Sequence, residues 1–381
     1  MINGRRRLLT IGHSYAVAVN RRLAHELASS GDWDVTAAAP ARFHGDFGWH
    51  VTRAEPGERC SVVPLAAHFT RPVHVMMYGR RLANLLNQNW DLVHCWEEPY
   101  IVAAAQIARN TPARVPLVFA TFQNIAKRYP PPFNWIERRV LQRANGLVAF
   151  GRTVFDVAVS RGFPGGRARI IPPGVDTERF APDCIARDAV RALLGWSGDE
   201  PVVGFLGRFV PEKGVMQLTA ALDRIQTPWR ALFVGAGPLE NDLRRWASGR
   251  RDRVAIRTDV GHDDVPRWLN AMDVLAAPSQ STPAWREQFG RMLIEAFACG
   301  VPVVASDSGE IPHVVGDAGL IVPERDLAAW TQTLRRVLGD ASLRRDLSER
   351  GRRAAVGSYA WAAVARRHSE FFHAIVEGRA A

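Results

Sequence analysis

Two acids, two cations and a set of glycines carry the chemistry open to this chain. In "EQFGRMLIEAFACGVPVVAS", Glu287 and Glu295 stand on either side of Phe289 and Gly290. On a single helix their spacing would set them about 80° apart, a loosely shared face. A better arrangement has Gly290 opening a helix, Glu287 in the loop before it and Glu295 one turn inside. Both carboxylates then converge on a helix N-terminus, whose free backbone N–H groups favour anionic ligands. Upstream, "VVGFLGRFVPEKGV" runs a strand into a loop with Gly207, Arg208, Lys213 and Gly214. Arg208 offers a bidentate fork and Lys213 a point charge, which suits a phosphate cradle. The same residues also fit an ordinary strand-to-helix loop with exposed cations. The loop lacks the Gly-Lys-Ser/Thr ending of a Walker A motif. In "VGAGPLE" the third glycine of a dinucleotide fingerprint is replaced by Glu240, so a tight turn is expected there and not an NAD site.

Positioning these groups calls for parallel-sheet architecture. Short apolar or β-branched runs alternate with amphipathic stretches throughout, the pattern of doubly wound α/β domains. Strands are expected in the first half at Arg7–Ile11, Val35–Ala39, Leu92–His94, Leu117–Ala120, Gly146–Phe150 and Arg169–Ile171. Helices are expected between them near Val17–Ser29, Val73–Asn87, Tyr100–Arg109 and Trp135–Arg143. "IIPPGVDTERFAPD" reads as a connection between domains. A second series places strands at Val202–Leu206, Ala231–Val234, Val254–Ile256, Val274–Ala277 and Val301–Ala305. Its helices fall near Gly214–Ile225, Leu239–Ala247, Val265–Asn270 and Met292–Cys299. Two such domains predict a ligand cleft between them, beyond the carboxyl ends of their strands.

Bulk properties agree with two soluble domains. The chain has 381 residues, more than one core usually holds, with 47% hydrophobic and 23% charged residues. No apolar run reaches transmembrane length. The basic-then-apolar start faintly resembles a signal peptide, but His13, Ser14 and Asn20 interrupt it and a strand followed by a helix explains it better. The expected location is therefore cytoplasmic. Cys60, Cys95, Cys184 and Cys299 are scattered, which suggests neither a disulfide framework nor a zinc site. "DWD" at Asp32–Asp34 imitates a metal-binding pair but falls at a strand entry, and no metal is expected. Net charge is +11, from 49 Lys+Arg against 38 Asp+Glu, yet the excess is arginine spread along helices without a nucleic-acid motif. No nucleic-acid partner is expected.

"GRFVPEKG", "VGAGPLE" and "EQFGRMLIEAFACGVPVVASDSGEIPHVV", in that order, resemble the donor half of retaining glycosyltransferases of family 4, with the GT-B fold. Glu287 and Glu295 match that family's E-x7-E signature, "PPGVDTERF" resembles its linker, and the likeness runs over about Ile170 to Val322. The resemblance implies two Rossmann-like, doubly wound parallel-sheet domains facing an interdomain cleft. The acceptor domain would be 1–172, with a closing helix at 358–381 packing back on it through Tyr359, Trp361, Phe371 and Phe372. The donor domain would be 173–357. It further implies that Glu295 holds a ribose and Glu287 the sugar hydroxyls, while the amides of Phe289 and Gly290 steady sugar and phosphates. Arg208 and Lys213 would neutralise a leaving diphosphate as its charge builds, with Gly207 and Gly12 letting backbone approach the donor. The donor would be UDP- or GDP-linked, with no cofactor and no metal.

On the acceptor side the resemblance is thinner. The family often has two glycines after the first strand, where this chain has Gly12 and His13. His13 would touch diphosphate or acceptor, or serve only the turn. In "HCWEEPY", the neighbouring acids Glu97 and Glu98 point apart and cannot straddle one glycosidic bond. His94 and Glu98 are acceptor-side candidates, and Glu98 equally suits a loop acid before Pro99. In "FATFQNIAKRYPPPFNW", Gln123 takes the place of a histidine found in many relatives and cannot act as a base. Gln123, Asn124, Lys127 and Arg128 complete the acceptor set. The acceptor would be a sugar, a lipid-linked or a small-molecule hydroxyl in cell-envelope polysaccharide, glycolipid or glycoside assembly. "RPVHVMMYGRRLANLL" and "PPPFNWIERRV" mix basic and bulky residues, as segments at the inner face of a membrane do and as core-facing helices also do. A phosphorylase, an epimerase or a binding relative with little catalysis are the competing readings.

Overall fold

A computed structural model of the chain describes residues 5–45, 48–196 and 198–379. The first four and last two residues, which the expected domain limits include, lie outside the described residues. The chain divides into two compact units: one runs to Gly174 and takes in the chain from Trp361 onward, and the other is Val175–Ala360. The boundary at Gly174 falls inside the Pro-rich "IIPPGVDTERF".

In the first unit the strands are β1 (Arg6–Ile11), β2 (Trp33–Pro40), β3 (Arg42–Gly45), β4 (Gly48–Val51), β5 (Ser61–Leu65) and β6 (Ala67–His68). They continue with β7 (Met77–Tyr78), β8 (Leu92–Cys95), β9 (Leu117–Thr121), β10 (Gly146–Ala149) and β11 (Ala168–Ile170). Seven of them form one sheet in the order β5-β2-β1-β8-β9-β10-β11, with every neighbouring pair parallel. β8 and β9 are buried along their whole length, as apolar strands covered on both faces must be. Alternate residues serve different cores. Leu8 joins the cluster under the closing helix, and Leu9 and Ile11 join the cluster on the other face. β3–β4 and β6–β7 are small antiparallel ribbons.

The closing helix, Trp361–Val376, belongs to this first unit. The indole N–H of Trp33 donates to Ser369 Oγ at 2.9 Å, and Phe372 meets the Trp33 ring edge-on. Burying each such aromatic is worth about 1.5–3 kcal/mol. Tyr359 does not share that role: it lies in the second unit, with its ring against Phe289 and its hydroxyl on Val314 O.

The second unit holds β12 (Val202–Leu206), β13 (Arg230–Val234), β14 (Val254–Arg257), β15 (Val274–Ala277), β16 (Val303–Ser306) and β17 (Gly319–Val322). Their order is β14-β13-β12-β15-β16-β17, again parallel throughout. Both sheets start at an inner strand, build outward to one side, and then return to build on the other side. The reversal lies between β1 and β8 in one sheet and between β12 and β15 in the other. In sheets of this kind ligands bind beyond the carboxyl ends of the strands at that reversal.

One expected helix is absent. Over Val73–Asn87 the chain makes a single 3-10 turn (Val73–Val75), then β7, then a helix only from Arg81 to Leu86. Met76, Tyr78, Leu82, Leu85 and Leu86 are buried there, so most of the segment's large apolar side chains go to the core, with Met77 exposed. Among the described residues, no helix is long and apolar enough to cross a membrane.

Candidate active site

The second unit's reversal point gathers the donor-side candidates. β12 ends at Leu206 and its loop runs through Gly207, exposed Arg208 and a 3-10 turn (Pro211–Lys213) into the helix Val215–Leu222. β15, the neighbouring strand, ends at Ala277, and its loop reaches the helix Arg291–Ala298. Gln280 N donates to Glu212 O at 2.8 Å and ties the two loops together.

Gly290 stands immediately before the second helix with φ 80°, a left-handed conformation that favours glycine. That turn leaves Glu287 in the loop and Glu295 in the second turn of the helix, both buried. Lys213 Nζ donates to Glu287 Oε2 at 2.5 Å, and Ser279 Oγ donates to the same oxygen at 3.0 Å. The Lys213 ammonium also sits 5.3 Å from the centre of the Trp285 ring, a cation–π distance. The lysine is thus held from several sides. Arg208, by contrast, has no ion-pair partner among the described residues, and its fork is open to a ligand.

The Glu295 carboxylate accepts no hydrogen bond from the described residues. Burial pushes its pKa up, partly countered by the charges of Arg291 and Arg179. A buried carboxylate with unused lone pairs fits paired hydroxyls of a ligand. Phe289 is buried against Tyr359, so its side chain packs and only its backbone can serve a ligand.

The glycines of "VGAGPLE" serve a different purpose. At Gly235 (φ 141°) an added Cβ would come within 1.9 Å of Gly207 O. The loops after β12 and β13 press backbone to backbone, which is why no dinucleotide fingerprint is needed to explain the pair. Spacing in the sequence missed Ser279 and Glu310 as neighbours of Glu287 and Trp285 as a neighbour of Lys213. Glu310 is buried and its amide donates to Glu287 O at 3.0 Å. Only the proximity of β15 to β16 brings the segment "SDSGEIP" there.

The first unit's reversal point divides the acceptor-side candidates. Gly12 follows β1, and a Cβ there would meet Trp96 Cβ at 2.9 Å, so close packing against β8's exit accounts for the glycine. His13 comes next, with its amide donating to Glu97 Oε1 at 2.7 Å and its Nδ1 bonded to Glu97 Oε2. Tyr78 Oη donates to Glu97 Oε1 at 2.9 Å.

His94 does not face this site. It is fully buried, bonded to Thr10 and packed on His368 and Phe372, and burial drives its pKa well down, so it is a neutral core residue. Nor is Glu98 free for an acceptor: its carboxylate is fully engaged by Thr121 Oγ1 at 2.6 Å and Phe122 N at 2.7 Å. It fastens the exit of β9 to that of β8.

Gln123 donates to Tyr129 Oη at 2.7 Å and accepts from Ile125 N at 3.3 Å, shaping its own loop. Asn124 is buried beside it, whereas Lys127 and Arg128 are exposed. No group of three or more His, Cys, Asp or Glu among the described residues is arranged to hold a metal ion.

Comparison with known proteins addresses both units. Residues 200–340 match the family "Glycosyl transferases group 1", and residues 16–179 match "Glycosyltransferase Family 4". The chain belongs to the family 4 glycosyltransferases. A GDP-mannose-dependent alpha-(1-6)-phosphatidylinositol monomannoside mannosyltransferase of Mycolicibacterium smegmatis is 36% identical over 57% of this chain and 59% of that protein. A D-inositol 3-phosphate glycosyltransferase of Xylanimonas cellulosilytica is 34% identical over 59% of this chain and 56% of that protein. The match therefore spans less than two thirds of these relatives' length. Among solved structures, Anabaena HepE in complex with UDP aligns over 97% of this chain and 100% of its own, with TM-score 0.76 and 17% identity. Sucrose-phosphate synthase of Thermosynechococcus elongatus aligns over 98% of this chain and 100% of its own, with TM-score 0.74 and 22% identity. At such identities the likeness concerns fold, and the fold of this family 4 chain is GT-B.

Proposed function

We propose that this chain moves a sugar from a nucleotide-sugar onto an acceptor hydroxyl with retention of anomeric configuration. The observation that carries the reading is the pairing of Lys213 with Glu287 between the loops after β12 and β15, with Glu295 buried in the helix that follows Gly290 and Arg208 exposed in the β12 loop. In this reading Glu295 takes the vicinal ribose hydroxyls and Glu287 the sugar hydroxyls. The amides at Phe289 and Gly290 steady the sugar and phosphates. As the bond from anomeric carbon to phosphate oxygen breaks, its electron pair goes to the departing diphosphate. Arg208 and Lys213 stabilise that charge more in the transition state than in the ground state. The acceptor oxygen attacks from the same face, and its proton passes to the departing phosphate oxygen. No histidine base is then required, in keeping with Gln123. With two cations at the diphosphate, transfer is expected without a bound metal.

The donor is UDP- or GDP-linked. GDP-mannose is the first to try, because it stands in the names of relatives at more than 30% identity. The same names make an inositol-containing acceptor, soluble or lipid-borne, the first acceptor class. The test is transfer itself, with the product's anomeric configuration read by NMR. Lys213→Ala and Glu295→Ala are each expected to lower kcat/KM by roughly 10²-fold or more with the fold intact. Near-normal transfer by both variants, or an inverted product, would sink the reading.

A further inference from the structure

A cavity of about 540 Å³ opens in the first unit, beside the exit of β1 and under the β3–β4 ribbon. Its polar lining includes His13, Ser14, Asn20, His44, His50 and Arg71, and no carboxylate of the described residues lines it. Such a lining invites an anion. Ser14 Oγ is out of solvent and without a partner among the described residues, a hydrogen-bonding group left unused.

The floor of the cavity explains how one of its cations is held. Glu97 is fully buried, and its contacts are the amide and ring of His13 and the hydroxyl of Tyr78. No arginine or lysine meets it among the described residues. A buried carboxylate in that setting needs a cationic partner, and His13 is the available one. Because Nδ1 faces the acid, the opposite ring edge, bearing Nε2, is the part left to the cavity. Phe43 packs against the ring with centroids 5.0 Å apart and limits its rotation. With Nδ1 donating to Glu97, only the imidazolium has a second N–H with which Nε2 can donate to an anion.

We propose that this cavity seats a phosphate ester of the acceptor, gripped by His13 and Arg71, and that Glu97 positions His13 for that contact. The proposal rests on the glycosyltransferase reading for the word acceptor. The anion site itself stands on the first unit alone. Burial lowers the pKa of His13, but the charge and hydrogen bond of Glu97, with a contribution from Glu98, outweigh it and leave the value raised. Among the described residues, the groups facing His13 are Glu97, Glu98 and Tyr78 from below and His44, His50 and Arg71 across the cavity. The imidazolium therefore persists to higher pH than in an ordinary histidine.

Calorimetric titration of the full chain with inositol monophosphate, against inositol and inorganic phosphate, tests this. Phosphatidylinositol in vesicles provides a second arm that separates a free ester from a lipid headgroup. We expect the phosphorylated probe to bind and inositol not to. His13→Gln and Arg71→Gln should each weaken binding by about tenfold or more, the loss of one charge-assisted hydrogen bond. Arg71 is exposed, so its variant keeps the assay valid if a change at His13 disturbs the fold. Glu97→Gln should weaken binding above neutrality and recover it in mild acid, where His13 regains its proton unaided. His44 and His50 are present in both proteins, so the difference between them isolates the His13–Glu97 pair. Binding by either the soluble or the vesicle probe supports the site and names its source. Phosphorylated probes that bind no better than inositol, or equally well to His13→Gln and Arg71→Gln, would overturn it. A Glu97→Gln loss of equal size at both pH values would reduce Glu97 to a packing role. In all these cases nucleotide binding by the same samples, which depends on the second unit, is read separately, so a failed anion site is not mistaken for a failed donor site.

Discussion

At the residue scale, Glu295 combines a burial cost with a proposed binding role. Its folded-state pKa lies above the ordinary 4.5 because it is buried. A raised carboxylate favours the protonated form in the folded chain. Its penalty is therefore absent below the ordinary value and grows as pH rises through the raised one. Glu295→Gln is expected to raise Tm at neutral pH, with the difference from wild type closing as pH falls below that ordinary value. Thermal unfolding across pH checks this, and an unchanged or lowered Tm at neutrality would mean the charge is already compensated. Stability gained at the expense of a ligand contact is common at binding sites. The two glutamates and the Gly290 turn were legible from spacing alone. The Lys213–Glu287 pair was not, because 74 positions separate the two residues and the sheet order alone makes their loops neighbours. His94 misled for a related reason: its position at a strand's carboxyl end looks functional until the closing helix, far away in sequence, is laid over it.

At the scale of elements, central strands were readable and edges were not. Val202–Leu206 and Val274–Ala277 are continuous apolar runs, and both emerge as strands with those limits. β5 escaped notice because it is an edge strand, half-exposed and carrying Pro64, which a central strand would not tolerate. Val73–Asn87 has apolar residues at helical intervals, yet Gly79 packs on Ala66 and lets β7 pair with β6. The helix Phe133–Arg143 has a surface consequence. Trp135 is 57% exposed beside Arg138 and Arg139, an aromatic and basic combination suited to an anionic bilayer surface. We propose that this helix makes the peripheral membrane contact. Trp135→Ala should reduce co-sedimentation with anionic vesicles severalfold while leaving neutral vesicles unaffected. Equal sedimentation of variant and wild type would remove the helix from consideration.

At the scale of the molecule, one plan is used twice. Each unit brings chemistry-bearing loops to the point where its strand order reverses: His13 and Glu97 in the first, Lys213 and Glu287 in the second. Several of the arginines behind the basic composition are put to structural use. Arg21 pairs with Glu58, Arg191 with Asp273, and Arg352 holds the carbonyls of Phe180 and Ala298. Arg208 is an exception, exposed and without an ion-pair partner among the described residues, and it lies at the candidate donor site. The central claim is that the second unit binds a nucleotide diphosphate through Glu295 and its neighbouring cations. Its most direct test is a thermal-shift titration of wild type and Glu295→Ala with GDP, UDP and ADP, since a ligand that binds only the native state raises Tm by mass action. The account predicts a rise with GDP or UDP that disappears in Glu295→Ala. No rise with any nucleotide, or an equal rise in the variant, would contradict it.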